Sequence, residues 1–474
     1  FLATSSFEYF PGLPIYRSND LVNWRLLGNA MDRQSQVELR GLKSSDGVYA
    51  PTLRFHQGTF YLVTTVVGGC GHIIITTDDP AGPWSDPIRV AGPGFDPDLF
   101  FDDDGSVYFS REDIGGYGIR QQRIDPTTGT LLGEERVIWA GLEDPLCEAP
   151  PLYRIDGSYY LLVAEGGTHR GHMVVIARSN HPSGPFESCP DNPILTHRNR
   201  VLHEIQATGH GDLVQASDGT WWMVFLAIRT NGAYHHLGRE TFIAPLEWTP
   251  DGWPVINRGE AITANLENAD SGRGTSVWPA LNERFDGSSL SPELNFRRNN
   301  DSRRFERSDT GSILLYGGPD GIETVQGAPF LGARQRAFEA VGTTRLRLRS
   351  PGGAGGLVVL MNESHYYALL LTRTEEGEPS IRFRRRIGSI LTNEPVLQPY
   401  DGDEATFRVV ATKDWYRFDV LDESGETDSD MEQTPRAESR LLSTEVAGGF
   451  TGVYIGMMCE RGSCEFEWFS LTHG

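Results

Sequence analysis

Hydrophobic residues along this chain fall in short runs separated by Gly- and Pro-bearing turns, and few stretches repeat them at helical spacing. That pattern predicts an all-β protein. A β-rich run is opened four times by the motif Gly-[Ser/Thr]-x-[Tyr/Trp]: Gly58-Thr59-Phe60-Tyr61, Gly105-Ser106-Val107-Tyr108, Gly157-Ser158-Tyr159-Tyr160 and Gly219-Thr220-Trp221-Trp222. Successive motif glycines lie 47, 52 and 62 residues apart. Three of them sit in Asp-Gly turns flanked by apolar strands, the signature of a hairpin. Small antiparallel sheets repeated at a period of roughly 50 residues bury their faces only against one another, which predicts a β-propeller. Asp79-Pro80-Ala81-Gly82-Pro83-Trp84 and His181-Pro182-Ser183-Gly184-Pro185-Phe186 follow two of the repeats and read as matched turns on the outer rim. Phe1-Leu2-Ala3-Thr4-Ser5 aligns with Tyr61-Leu62-Val63-Thr64-Thr65, so the chain opens inside a fifth copy.

Nine positions before the motif glycines stand Tyr49, Asp96, Glu148 and His210. Equivalent positions in radially arranged blades point at the same axis. Three of the four are ionisable and each begins a strand, which is more register than hydrated turns require. Carboxylates converging at a channel mouth supply what glycosidic bond cleavage needs: an acid to protonate the leaving oxygen, and further carboxylates to activate water and stabilise an oxocarbenium-like transition state. Phe7, Phe10 and Tyr49 are candidates for an aromatic floor that stacks on the apolar face of a sugar.

The repeats occupy residues 1–270. A polar, Gly-bearing stretch then reads as a linker, and from 280 to 474 short alternating strands such as Arg345-Leu346-Arg347-Leu348-Arg349 and Trp415-Tyr416-Arg417-Phe418-Asp419-Val420 predict a β-sandwich, jelly-roll-like. Its arginine-rich strands read as solvated sheet faces and carry no assigned function.

Composition narrows the partners. Among 474 residues, 42 Lys and Arg against 64 Asp and Glu give a net charge of −22, which disfavours nucleic acid and anionic membranes as partners. No apolar run of about 18 residues is present to span a bilayer. The five cysteines contain no Cys-x-x-Cys pair, so a zinc site is not expected. Cys459 and Cys464 flank a short turn between two strand-like runs and predict a disulfide closing a hairpin. Asn300-Asp301-Ser302 and Asn362-Glu363-Ser364 are glycosylation acceptor triplets. Although no signal peptide is visible, these features lead us to expect a secreted, extracellular protein.

Ser5-Ser6-Phe7-Glu8-Tyr9-Phe10-Pro11-Gly12-Leu13-Pro14-Ile15-Tyr16, Asp20-Leu21-Val22-Asn23-Trp24, Tyr49-Ala50-Pro51-Thr52-Leu53, Asp96-Pro97-Asp98-Leu99, Ala164-Glu165-Gly166-Gly167-Thr168 and Thr208-Gly209-His210-Gly211-Asp212-Leu213-Val214 closely resemble family 43 glycoside hydrolases of the β-xylosidase and α-L-arabinofuranosidase type. The resemblance implies a five-bladed propeller with a C-terminal β-sandwich, acting by inversion on non-reducing-end pentosyl units of xylan or arabinoxylan fragments. It matches Asp96 to the carboxylate that orients the acid and modulates its pKa, and Glu148 to the general acid, with Ala149 where the family usually has glycine. Arg239 matches the arginine that binds sugar hydroxyls and the carboxylates. His210 matches a substrate-side channel histidine that in relatives approaches a central cation or its water shell. The chemistry is expected to need no cofactor, a structural calcium ion at His210 being the one metal contact the resemblance implies. The family's general base, an aspartate on the first strand of the propeller, is expected ahead of Phe1. Two alternatives stand beside this reading: a non-catalytic propeller that grips a carbohydrate, and an enzyme restricted to α-L-arabinofuranosides.

Overall fold

The structure, a computed structural model, describes the chain except residues 114–117, 143–145, 266–277, 288, 299–302, 310, 327–328, 375, 398–399 and 429–433. The stretch read as a linker and the acceptor triplet at Asn300 lie outside the described residues. Five antiparallel sheets succeed one another from Leu2–Ala3 to Pro254–Ile256 and form the blades of a propeller. The third is representative, its strands Asp98–Phe101, Val107–Glu112, Ile119–Asp125 and Thr130–Trp139 pairing in chain order.

The repeat glycines make the hairpin turns. Their φ values are 88° at Gly58, 84° at Gly105, 85° at Gly157 and 85° at Gly219, a conformation glycine enters without steric cost. Gln57 and Asp156 are left-handed as well, at 49° and 48°, so two of the turns have both central residues at positive φ, the twist that suits paired strands. The two rim turns match: each has a cis Gly-Pro bond and sends an aromatic, Trp84 or Phe186, onto an apolar layer.

Apolar layers lie between successive blades. Ile15 packs with Leu62 and Ile73, Val63 with Leu99 and Phe109, Phe100 with Leu161 and Val175, and Leu162 with Ile176 and Phe225. Neighbours on one strand, such as Leu62 and Val63, therefore serve opposite blades, as the period of two dictates. Each such side chain contributes about 1.5–3 kcal/mol when buried, and no blade can bury it alone.

Arg54 ties the blades together inside the channel. Its guanidinium lies 2.6 Å from Asp98 Oδ1 and 3.9 Å from Asp212 Oδ1, and 5.2 Å over the Tyr153 ring. The Tyr153 hydroxyl donates to Asp212, so residues of four blades share one network. Arg54→Ala would leave the buried Asp98 carboxylate with the Leu152 amide but no cation. Denaturant unfolding is expected to show a loss of about 3–5 kcal/mol.

From Leu281–Glu283 onward the chain builds two sheets that pack face to face around Leu357, Phe383, Phe407, Phe418 and Phe466. Tyr9–Phe10 supplies an edge strand to one of them by pairing with Asn295–Arg297, and the Tyr9 ring stacks on Tyr454 at 3.8 Å. The N-terminal segment is thus built into the sandwich. Tyr454–Arg461 and Ser463–His473, read as a hairpin, belong to different sheets. The turn between them carries the chain across the sandwich instead of back along one sheet. The expected disulfide is absent: Cys459 and Cys464 are free thiols, and Cys459 Sγ donates to the carbonyls of Arg461 and Gly462 at 3.6 Å. Asn362 is no glycan acceptor either, because its amide is buried, donating to Ala447 O at 2.9 Å and accepting from Ser364 N.

Candidate active site

The residues nine positions before the repeat glycines meet at the channel mouth. Glu148 enters the fourth blade, exchanging backbone hydrogen bonds of 2.9 and 2.8 Å with Ala164, and its side chain is buried. Asp96 enters the third blade with φ 49°, and His210 lies in the fifth with φ 53°, at an irregularity in the pairing of Ile205–Gln215 with Trp221–Arg229. His210 Nδ1 is 3.8 Å from Asp96 Oδ2.

The cation among these groups is Arg239, whose loop is held by the sandwich. Val453 N donates to His236 O at 3.0 Å, and Arg334 donates to Leu237 O at 2.7 Å and Arg239 O at 2.5 Å. Gly238 permits the approach: a Cβ there would lie 2.5 Å from Gly452 N. The Arg239 guanidinium then lies 5.2 Å from the Phe7 ring centre and 4.8 Å from that of Phe450. Tyr49 meets Phe7 edge-on at 5.4 Å. Phe450 comes from the sandwich, and its amide donates to Ser45 Oγ at 2.9 Å, so the aromatic wall is shared by both domains.

Phe7 and Tyr49 therefore stand together beside the carboxyls, and Phe10 does not join them. Its ring is 1% exposed within the layer formed by Leu13, Ile15 and Leu62, because its strand leaves the pocket for the sandwich. Phe10 is a packing residue rather than part of the floor.

Burial raises the proton affinity of both carboxyls. Glu148 is held above the ordinary carboxylate range by burial and by the negative charge of Asp96, against the pull of Arg239. Asp96 is raised by burial, with Arg239 opposing and Glu112 adding. Glu112, at the end of Val107–Glu112, is itself pushed up to about 7 by burial and by Glu148. Sequence reasoning missed Glu112, His172 and Phe450. The repeat register does not single out Glu112, which stands seven positions after Gly105 and so aligns with Ala164, seven after Gly157.

Among the described residues no three His, Cys, Asp or Glu side chains are gathered to hold a metal, so a calcium ion at His210 would draw most of its about six to eight oxygens from backbone carbonyls and water. Burial, with His172 and Arg239 nearby, pushes the His210 imidazole down to about 3, so the ring is neutral.

Ala149 adopts φ 52°, a left-handed conformation that costs an L-residue about 1–2 kcal/mol. The family's glycine meets that geometry without strain. Ala149→Gly is expected to raise unfolding stability by up to about 1 kcal/mol after the entropy of the unfolded glycine is subtracted, as measured in urea.

Two buried carboxyls of raised proton affinity, with an arginine and an aromatic wall beside them on a propeller, are the equipment of a glycoside hydrolase. The sequence model of the glycosyl hydrolases family 43 matches residues 1–254, and that of the β-xylosidase C-terminal concanavalin A-like domain matches 282–472. The chain belongs to glycosyl hydrolases family 43. It is 37% identical to a non-reducing end α-L-arabinofuranosidase of Bacteroides ovatus over 99% of this chain and 90% of that protein. A β-xylosidase of Bacillus subtilis is 32% identical over 97% and 92%. The crystal structure of a xylan β-1,4-xylosidase from Bacillus halodurans superposes with a TM-score of 0.90 at 29% identity, covering 99% of this chain and 95% of that one.

Proposed function

We propose that this glycosidase removes single xylose or arabinofuranose units, with inversion, from the non-reducing ends of xylan or arabinoxylan fragments. The observation that supports it is the buried pair Asp96 and Glu148 beside Arg239. Glu148 is the general acid, and its raised proton affinity keeps it loaded near neutral pH. Asp96 sustains that affinity through its charge and orients the carboxyl. Arg239 offers donors in a rigid fork to the sugar hydroxyls and offsets the negative pair. Phe7, Tyr49 and Phe450 receive the apolar face of the pentose ring, and the neutral His210 completes the polar side. Inversion needs a base on the opposite face of the sugar, roughly 6.5–9.5 Å from the acid. An extracellular location belongs to the same reading, since the substrates are plant-wall polymers.

Proton NMR of a fresh xylobiose digest tests this. The first product is expected to be α-xylose, the inverted anomer. Initial release of β-xylose would overturn inversion, and early internal fragments from longer chains would overturn exo-action. The Bacteroides ovatus relative favours the narrower arabinofuranosidase reading. That reading holds if kcat/KM for 4-nitrophenyl β-xyloside falls about 10³-fold or more below the α-L-arabinofuranoside.

A further inference from the structure

His172 is fully buried and stands just before Met173–Ser179. Its Nδ1 is 3.1 Å from the carbonyl oxygen of Ala207. A carbonyl can only accept, so Nδ1 carries the ring proton and Nε2 is left as a lone pair. Nε2 has no hydrogen-bond partner among the described residues, and it lies 4.0 Å from Glu148 Oε1. The ring is wedged in place: a Cβ on Gly209 would sit 2.4 Å from its atoms, so the backbone of Ile205–Gln215 packs directly against it. Charging the ring is opposed by burial and by the nearby Arg239 and His169, which hold the imidazole down to about 4.

We propose that His172 is a positioning residue that keeps the acid's proton on Glu148, by presenting a ring nitrogen that can only accept. The proposal rests on the reading of Glu148 as general acid. With Glu148 protonated, a small rotation of the carboxyl closes the gap to an O–H···N hydrogen bond and satisfies the buried acceptor. With Glu148 ionised, lone pairs face one another and neither atom gains a donor. The other groups around the carboxyl act through charge. Asp96 adds to its proton affinity and Arg239 subtracts, Glu112 interacts with it as a second carboxyl, and the Cys147 thiol and Tyr49 phenol are held neutral by burial. His210 adds a second neutral ring beside His172. The push from Asp96 fades whenever that group takes up its own proton, whereas the His172 lone pair persists through neutral pH. An incoming glycosidic oxygen competes with Nε2 for the same proton, already aimed into the site.

The test reads the proton rather than turnover. In protein labelled with carbon-13 at the glutamate Cδ, the Glu148 resonance is the one lost in Glu148→Gln, and its chemical shift is titrated in the native protein, His172→Phe and His172→Gln. His172→Phe keeps a ring but lacks the acceptor, and is expected to lower the Glu148 midpoint by about one pH unit or more. His172→Gln, whose Oε1 can take the place of Nε2, is expected to stay close to the native midpoint. An unshifted His172→Phe overturns the proposal, as does an equal shift in both variants, which marks a packing effect. If His172→Phe shows no folded melting transition, His172→Asn, too short to reach Glu148, replaces it with the same expectation. A native midpoint in the ordinary carboxylate range would instead remove Glu148 as the acid.

Discussion

Glu148→Gln is expected to slow release of xylose or arabinose from a natural oligosaccharide by about 10²–10⁴-fold, in the enzyme with its base in place. Glutamine keeps the shape of the side chain and the backbone pairing with Ala164, and removes only the transferable proton. A sugar leaving group departs as a strongly basic alkoxide unless it is protonated as the bond breaks, so it bears the whole loss. A 4-nitrophenolate is stable without that proton and should lose far less. Steady-state kcat on the two substrates separates the effects. Equal slowing of both would make Glu148 a binding residue and move the acid to Glu165, buried nearby with its Oε1 accepting from Leu142 N at 2.6 Å.

Asp96→Asn removes the negative charge that raises the proton affinity of Glu148. The alkaline limb of the kcat/KM profile is expected to move to lower pH, with a loss of about 10²-fold or more near the native optimum from misorientation of the acid. The same substitution changes stability in a direction fixed by linkage. Asp96, Glu112 and Glu148 all have folded-state pKa values raised above the unfolded ones. The stability they contribute is complete below the unfolded carboxylate range and is lost as pH rises through their folded values, near neutral pH. The native melting temperature should therefore decline as pH rises from about 5 to about 8, and Asp96→Asn should flatten that decline. An unchanged slope would show that Asp96 is ionised in the fold at all these pH values. Because the carboxyls interact, their protons leave in steps that belong to the cluster rather than to single residues.

The propeller was readable from the sequence because its determinants are local. A glycine at positive φ is demanded by the hairpin turn itself, and the alternation of Leu62 with Val63 reflects a strand period that holds wherever the strand lies. Radial repetition turned that local register into a spatial statement, placing Asp96, Glu148 and His210 on one axis before any contact was known. Tyr49 followed from the same alignment, while Phe7 was marked only by its aromatic character. The register does not report which element leaves the repeat. Phe10 lies three residues from Phe7, yet it is carried into the apolar layer of the first two blades because its strand pairs with Asn295–Arg297 of the sandwich. Cys459 and Cys464 look like the two arms of a hairpin, but the pairing of their strands with different sheets was decided by long-range partners.

Tertiary structure alone brought Phe450 to Phe7 and Arg239, through contacts between residues hundreds of positions apart that leave no periodic trace. Protonation was decided the same way. A carboxyl's affinity for its proton depends on how completely water is excluded and on which charges share the space, and both are properties of the assembled channel mouth. The sequence by itself determined that carboxyls would converge there. Burial, Arg239 on a loop gripped by the second domain, and a histidine wedged against Gly209 determined what those carboxyls can do.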